Sequence, residues 1–515
     1  MFSKVYSGGI RGVEGYLVAV EADVSDGLPG FTMVGYLASE VKEAHERVRT
    51  ALRNSGFRLP PKKITINLSP ADIRKEGTAY DLPIAVAVLA AAGAVDPCTL
   101  KQYAFIGEVG LNGELKPLHG TISITEAMKK AGIGRIFLPR ENVTEATAVE
   151  GMEVIGADDI KMVVDLLNNP SEIVPEVYDP VRLRIQDMNE YASDYSEVNG
   201  QLLLRRATEI AVAGNHNILY IGPAGTGKTM VAKRIPTIMP SLSLEESIEI
   251  SKIYSVGGLL PHGQPLISSR PFRSPHHTIS RQALTGGGSI PKPGEISLAS
   301  RGVLFLDELP EFQRSTIEIL RQPLEERTVT VSRVHGSYSF PANFMLAAAM
   351  NPCPCGFFPD RSRCNCSERA IKAYLGRISR PLLDRIDICV EAAPITCEEL
   401  QKKMINEDSK AIRSRVEKAR EIQEQRFQNT NIYFNSEMRN RDIEQFCELK
   451  ERDQEFLRHV FTTLGLSARS YHRILKVART IADLDGKKQI DRSHLSEAAG
   501  YRSLEEKYWG GRNDG

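Results

Sequence analysis

Three stretches of different periodicity follow one another along the chain. From residue 1 to about 165, short apolar runs (Tyr16–Val24, Lys63–Leu68, Ile136–Pro139) alternate with helical stretches (Ser39–Gly56, Asp81–Ala92, Ser123–Ala131), as in an α/β or α+β domain. The longest apolar run, Leu82 to Val95, is too short to span a bilayer and reads as a buried helix. Residues 166–197 are polar and broken by Pro170, Pro175 and Pro180 without a sustained period, which predicts a linker. Between about 198 and 395, Ile218–Ile221, Val303–Leu306 and Phe344–Ala349 read as buried strands of an α/β core. Residues 396–506 are helical in pattern: a charged stretch to Arg426, then Asn435–Cys447, Asp453–Gly465, Ser467–Asp485 and Asp491–Gly500, with 507–515 as a tail.

The first strand of the middle block runs into Gly222-Pro223-Ala224-Gly225-Thr226-Gly227-Lys228-Thr229, a complete G-x-x-x-x-G-K-T phosphate loop. Placed between a strand end and a helix N-terminus, its glycines expose backbone N–H groups to phosphate oxygens. Lys228 then reaches the β- and γ-phosphates of ATP, and the Thr229 hydroxyl takes Mg²⁺. The second half of such a site is the strand ending in Asp307-Glu308. Asp307 suits the Mg²⁺ shell, and Glu308 suits orienting or deprotonating the attacking water.

Bulk charge narrows what else the chain binds. Its 65 basic and 65 acidic residues cancel, so nothing draws it wholesale to nucleic acid or to an anionic membrane. Binding of that kind rests on local loops. Residues 1–20 lack a cationic start followed by an apolar core, so no secretory signal is expected. Eight cysteines, four of them clustered, fit a reducing cytoplasm with a metal site better than a disulfide scaffold.

Further pieces say which machine carries the phosphate loop. Asn351 follows the strand Phe344–Ala349 and sets an amide beside the nucleotide; Arg385 lies in Leu383-Asp384-Arg385-Ile386-Asp387, and Arg469 begins a C-terminal helix. With Ala349-Met350-Asn351-Pro352-Cys353-Pro354-Cys355-Gly356 and Phe272-Arg273-Ser274-Pro275-His276-His277-Thr278, the chain resembles the magnesium-chelatase-like AAA+ ATPases of the YifB/ComM family over essentially its whole length. The resemblance implies a P-loop NTPase core with a helical lid. It puts Asn351, Arg385 and Arg469 at the sensor 1, arginine-finger and sensor 2 positions, Arg473 being the alternative for the last. A finger that serves a neighbour's ATP requires a ring. The family therefore implies a homo-oligomer, a hexamer.

Two inserts flank the Asp307-Glu308 strand, in the places where the helix-2-insert clade carries hairpins. One holds Arg270, Arg273, His276, His277, Arg281 and the run Gly286-Gly287-Gly288; the other runs from Glu325 to Gly336 with Arg327 and Arg333 at expected basic tips. Arg273, Arg327 and Arg333 are the candidates for contact with a DNA backbone, without sequence readout. Solvated or subunit-bridging arginines are the plain alternative.

Cys353-x-Cys355 and Cys364-x-Cys366 lie directly after Asn351. Four thiolates on one short loop can reach a tetrahedral Zn²⁺, with Arg361 and Arg363 offsetting charge. An iron–sulfur cluster and free structural thiols are the other readings. In the N-terminal block, Lys75-Glu76-Gly77-Thr78-Ala79-Tyr80-Asp81 and the segments from Ile106 to Ile122 and Ile136 to Asn142 resemble Lon-type proteases of ribosomal S5 domain-2-like fold. The nucleophile position falls on Ala79 and the lysine position on Ile122, while Thr78, Lys116 and Ser123 are off register. Acyl transfer thus lacks both parties, and the domain is expected to be inactive. The expected function is a ring-forming, ATP-driven DNA motor of the branch-migration helicase type, serving recombination or natural transformation. A chelatase-like motor remodelling a protein partner is the alternative.

Overall fold

Two separate sheets organise the chain, one on either side of the expected linker. The computed structural model describes residues 1–179, 193–261, 263–288, 291–333, 336–394, 406–463 and 465–509. Residues 180–192 of the linker and the start of the C-terminal block at 396–405 lie outside them.

The N-terminal sheet contains β1 (Phe2–Arg11), β2 (Glu14–Ser25), β3 (Gly30–Val34), β4 (Lys63–Ser69), β5 (Tyr103–Phe105), β8 (Arg135–Pro139) and β9 (Glu153–Ala157), with a small separate hairpin of β6 (Glu108–Val109) and β7 (Leu115–Lys116). Its order is β3-β4-β2-β1-β5-β8-β9. The sequence pattern missed β1, because Ser3, Ser7, Gly8 and Gly9 blur its apolar alternation; Ser3 is buried and donates to Ala87 O at 2.6 Å. The helix Asp81–Ala91 is apolar on every side and buried along its whole length, as an apolar helix must be. Burial raises the pKa of Asp81 at its start, and the Arg47 guanidinium, bidentate at 2.8 and 2.9 Å, pulls the other way. The single helix expected over Ser39–Gly56 is two, Ser39–Lys42 and Ala44–Asn54, and Ile160–Asn168 extends into the stretch assigned to the linker.

The second sheet is parallel throughout. Its strands β10 (Ile218–Ile221), β11 (Phe272–Arg273), β14 (Val303–Leu306), β17 (Met345–Met350) and β18 (Ile388–Glu391) run in the order β11-β14-β17-β10-β18. Two hairpins stand apart from it: β12 (Gly286–Gly287) with β13 (Lys292–Pro293), and β15 (Thr328–Arg333) with β16 (Gly336–Pro341). The N-terminal domain docks on this core through the helix Leu244–Gly257. There Lys252 pairs with Glu126 and lies 3.6 Å from Glu14, while the Ser255 hydroxyl donates to Glu145 and accepts from Gly120 N at 2.7 Å.

Helices Ser409–Arg426, Asn440–Phe446, Glu451–Thr463, Ala468–Leu484 and Arg492–Trp509 form the C-terminal part. The last helix corrects two expectations, its end at Gly500 and the start of a tail at residue 507. Tyr508 is buried with its hydroxyl 2.8 Å from Glu391, and Trp509 Nε1 donates to Leu375 O at 3.1 Å, so apolar contact with the core extends the helix.

A polar seam joins the lid to the sheet. Buried His216, just before β10, meets Asp387 through Nδ1 at 3.2 Å and Thr480 through Nε2 at 2.8 Å, and Arg473 lies 3.4 Å from Asp387. Burial alone would raise the Asp387 pKa, but His216, Arg473 and Lys476 outweigh it and hold the carboxyl well below the usual carboxylate range. Removing that charge with Asp387→Asn leaves Arg473 and Lys476 uncompensated, and the expected loss is about 3 kcal/mol or more. A group with a depressed folded pKa stabilises above its unfolded value, about 4, and ceases to do so as pH falls toward the folded one. Thermal denaturation should therefore separate the two proteins at pH 7 and bring them together in acid. An equal gap at both pH values would show that Asp387 contributes packing and not charge.

Candidate active site

Strand β10 lies between β17 and β18, so the segments leaving these strands diverge and open a cleft at the strand ends. The phosphate loop lines that cleft. Gly225 and Gly227 hold φ of 78° and 84°, in the left-handed region where a side chain is disfavoured. At Gly222 a β-carbon would come within 2.6 Å of Ala392 O, so only glycine lets the loop start flat against the segment after β18.

Lys228 begins the next helix and turns its ammonium back over the loop. Its Nζ donates to Gly222 O and Pro223 O, both at 2.7 Å, and reaches Asn351 Oδ1 at 3.4 Å. Burial lowers its pKa, and Asp307 and Glu308 oppose that. Thr229 Oγ1 donates to Asp307 Oδ2 at 2.7 Å. The cleft, about 360 Å³, is lined by the loop together with Met230, Asp307, Glu308, Met350 and Asn351. Residues 224–229 of the loop thus share one cavity with Asp307, Glu308 and Asn351. An Mg²⁺ ion would be held there by Thr229 and Asp307, a hydroxyl and a carboxylate, the hard oxygen donors it prefers.

Glu308 sits at the turn after β14 with φ of 52°, a left-handed backbone in a residue that carries a side chain. Its N–H donates to Asp307 Oδ1 at 2.9 Å, and its half-exposed carboxylate lies 3.7 Å from His277 Nδ1. The His277 ring lies tilted against that of His276 with ring centres 4.0 Å apart and meets Phe312 edge-on at 6.3 Å. The sequence reading had His277 only as a member of the insert. No local motif announces a contact between the segments that follow the paired strands β11 and β14.

The distal candidates stand elsewhere. Arg385 pairs with Glu325 and donates to Arg321 O at 3.1 Å and Pro381 O at 2.6 Å, outside the cleft of its own chain. Arg469 is two-thirds exposed and lies 3.5 Å from Asp384, whereas Arg473 is largely buried in the polar seam; neither lines the cleft. Two of the arginines expected to be free are engaged. Arg273 gives both arms to Glu295 at 2.6 and 2.7 Å. Arg327 is not at a tip: it closes the helix Arg321–Glu326 with φ of 58°, sits low at the base of the β15–β16 hairpin and donates to Phe344 O at 3.3 Å. Arg333 ends β15 near the turn and donates to Gly288 O at 3.2 Å, which ties the two hairpins together.

All four clustered cysteines come together, their sulfurs within 4.8 Å of one another, in an arrangement that could hold a metal ion. In the N-terminal domain, Ile122 is fully buried, Thr78 is hydrogen-bonded to Glu108 and Ser123 donates to Val13 O at 2.6 Å. The hydroxyls nearest the lost dyad are therefore committed to structure.

Comparison with known proteins accounts for this arrangement. Residues 20–142 match the family described as subunit ChlI of Mg-chelatase, 194–400 the family magnesium chelatase, subunit ChlI, and 406–502 its C-terminal family. The competence protein ComM of Haemophilus influenzae is 43% identical over 505 residues, 97% of both chains. The YifB protein of Escherichia coli is 43% identical over 506 residues, 98% of this chain and 97% of the other. Lon protease 2 of Bacillus subtilis is 31% identical over 140 residues, 27% of this chain and 25% of the protease.

Glu308→Gln is expected to keep nucleotide affinity and lower ATP turnover by about a hundredfold or more, since it removes only the carboxylate aimed at water. Lys228→Ala should weaken nucleotide binding itself. Fluorescent-nucleotide titration beside steady-state phosphate release checks both. Equal turnover in Glu308→Gln and the parent would remove Glu308 from the chemistry.

Proposed function

Because the chain belongs to the magnesium-chelatase-like AAA+ ATPases of the YifB/ComM family, we propose that it is a ring-forming ATP hydrolase that moves DNA strands or junctions. The observation that carries the DNA reading is a basic groove of about 210 Å³ between the two inserts. It is lined by Arg281, Gln282, Thr285, Ser332 and Arg333, with no carboxylate among its described lining residues. Exposed Lys292 stands on the neighbouring hairpin. Such a surface grips phosphates without reading bases, and it supplies locally what the neutral whole-chain charge does not.

In the hydrolytic step, the phosphate loop and Lys228 bind the triphosphate, Lys228 exchanging its bonds to Gly222 O and Pro223 O for phosphate oxygens. Thr229 and Asp307 are held together to take Mg²⁺, which when bound supplies charge neutralisation at the phosphates. Glu308 orients the water, and Asn351 fixes Lys228. Arg385, once freed from Glu325, reaches the nucleotide of the next subunit in a hexamer, and Arg469 takes the sensor 2 place. One relative carries competence in its name, which supports our reading of a role in recombination or natural transformation, and we assign that role to the cytoplasm. Among the described residues no helix is long and apolar enough to cross a membrane.

Arg385→Ala should bind nucleotide normally and hydrolyse it poorly. Mixed with Lys228→Ala subunits, it should recover activity at interfaces that join an intact loop to an intact finger. No recovery at any mixing ratio would make Arg385 a structural residue of its own subunit.

DNA binding by nucleotide-loaded Glu308→Gln protein should be independent of sequence and fall steeply with salt. Neutralising Arg281 and Arg333 together should flatten the dependence of log affinity on log salt and slow junction movement, with basal ATP turnover held within about twofold, since neither residue lines the nucleotide cleft. Titration of labelled single strands and four-way junctions reads this. No binding at low salt would replace the DNA reading by the remodelling of a protein partner.

A further inference from the structure

Nucleotide chemistry leaves the cysteine loop unused, yet the loop touches it on two sides. Asn351, which meets Lys228 at 3.4 Å, is two residues before Cys353. Gly356, with φ of 85°, lies against the start of the phosphate loop: a β-carbon there would stand 3.9 Å from Pro223 Cα and Ala224 N.

The loop rests on the core at a few points: Phe358 meets Tyr508 edge-on with ring centres 6.1 Å apart, and Phe357 and Cys366 are partly buried. From Cys353 to Cys366 most residues are exposed, and apart from Gly356 only Cys353 and Cys364 are buried. Its sulfurs, however, are placed closely. Cys353 Sγ is 3.4 Å from Cys355 Sγ and 3.8 Å from Cys364 Sγ, and Cys355 Sγ is 3.6 Å from Cys364 Sγ. These separations are far beyond a disulfide bond of about 2.05 Å. They match the edges of a tetrahedron of thiolates around one ion, which metal–sulfur bonds of about 2.3 Å set at about 3.8 Å.

The surroundings are those of a charged ligand cage. Phe358 N–H donates to Cys353 Sγ at 3.4 Å, the kind of backbone bond that orients a thiolate ligand. Arg363 lies 4.1 Å over the Phe357 ring and Arg361 5.2 Å over that of Phe358, two cations on the same loop as the four sulfurs. Soft sulfur donors in a closed tetrahedron select zinc among the common divalent ions, and a full set of four protein ligands makes the site structural.

We propose that Cys353, Cys355, Cys364 and Cys366 hold one zinc ion as four thiolates, and that this ion positions Asn351 beside Lys228 and packs Gly356 against the phosphate loop. The zinc touches neither nucleotide nor water. It cross-links a segment that lacks a core of its own and so fixes the amide two residues away. Asn351 is then a positioning residue set from outside the cleft.

The test uses the full-length protein. Elemental analysis should find about one zinc per chain, and Cys353→Ser and Cys364→Ser should each lose most of it. Replacing zinc by cobalt should give the ligand-field absorption of a tetrahedral tetrathiolate, a signature independent of any activity. Zinc removed by a chelator, with secondary structure checked by circular dichroism, should lower ATP turnover by about tenfold or more while nucleotide affinity changes less, and added zinc should restore the rate. Should a serine variant fail to fold, the chelation and cobalt experiments on the parent still decide. Protein without stoichiometric metal whose four thiols react in the native state overturns the zinc site, as does bound iron with sulfide. Zinc present at one per chain but removable without change in turnover overturns the positioning of Asn351. Metal content and the cobalt spectrum do not depend on ATP hydrolysis, so they stand or fall apart from the proposed motor function.

Discussion

Parallel pairing on both sides of β10 is the constraint from which the nucleotide cleft follows. A central strand whose neighbours connect in opposite directions leaves its C-terminal end uncovered, and only there can a loop curl back with its N–H groups free. The same pairing sets the distance between the loop and β14 across β17, which brings Thr229 within 2.7 Å of Asp307. Shifting any one of these strands by a residue would turn Asp307 away from the hydroxyl and invert the strand's buried face. Lys228, Thr229 and Asp307 are thus spaced by sheet register more than by contacts among themselves.

That rigid frame is coupled to softer parts at its edges. His216 enters β10 from the lid side and shares Asp387 with Arg473, so the lid helix Ala468–Leu484 is hydrogen-bonded to the strand that carries the phosphate loop. On another side the helix Leu244–Gly257 carries the N-terminal domain by means of Lys252 and Ser255. Gly12 in the β1–β2 turn approaches the β15–β16 hairpin so closely that a β-carbon would lie 2.7 Å from Ser339 O. The domain that resembles a protease therefore contacts both the helix before one insert and the hairpin of the other. At the positions where the Lon-type resemblance puts the nucleophile and the lysine, this domain carries Ala79 and a fully buried Ile122.

Much of the site was legible in the sequence because its determinants are local. A phosphate loop needs glycines at fixed offsets, and a strand ending in two acids reads as such from six residues. What escaped was set by distant partners or by one backbone angle. Strand β1 was missed because its buried face uses serine, and the last helix was cut short because Tyr508 and Trp509 find their partners in Glu391 and Leu375, over a hundred residues earlier. Arg327 was assigned to a tip because no residue type reveals that a non-glycine adopts a left-handed φ and starts the hairpin there. The meeting of His277 with Glu308 and of Gly356 with the phosphate loop belongs to the same class: short contacts with no sequence period behind them.

Consider again the backbone of Glu308. A side chain held at a φ of 52° costs about 1 kcal/mol that glycine would not incur. A library varied at this position and selected for thermal survival would therefore drift toward glycine, which lacks the carboxylate that the proposed hydrolysis needs. Selected for turnover, the same library would keep the acid and accept the twist. Fitness for folding and fitness for work rank the residues at position 308 in opposite orders, and a stabilised form of this protein found by melting temperature alone would tend to be a stalled one.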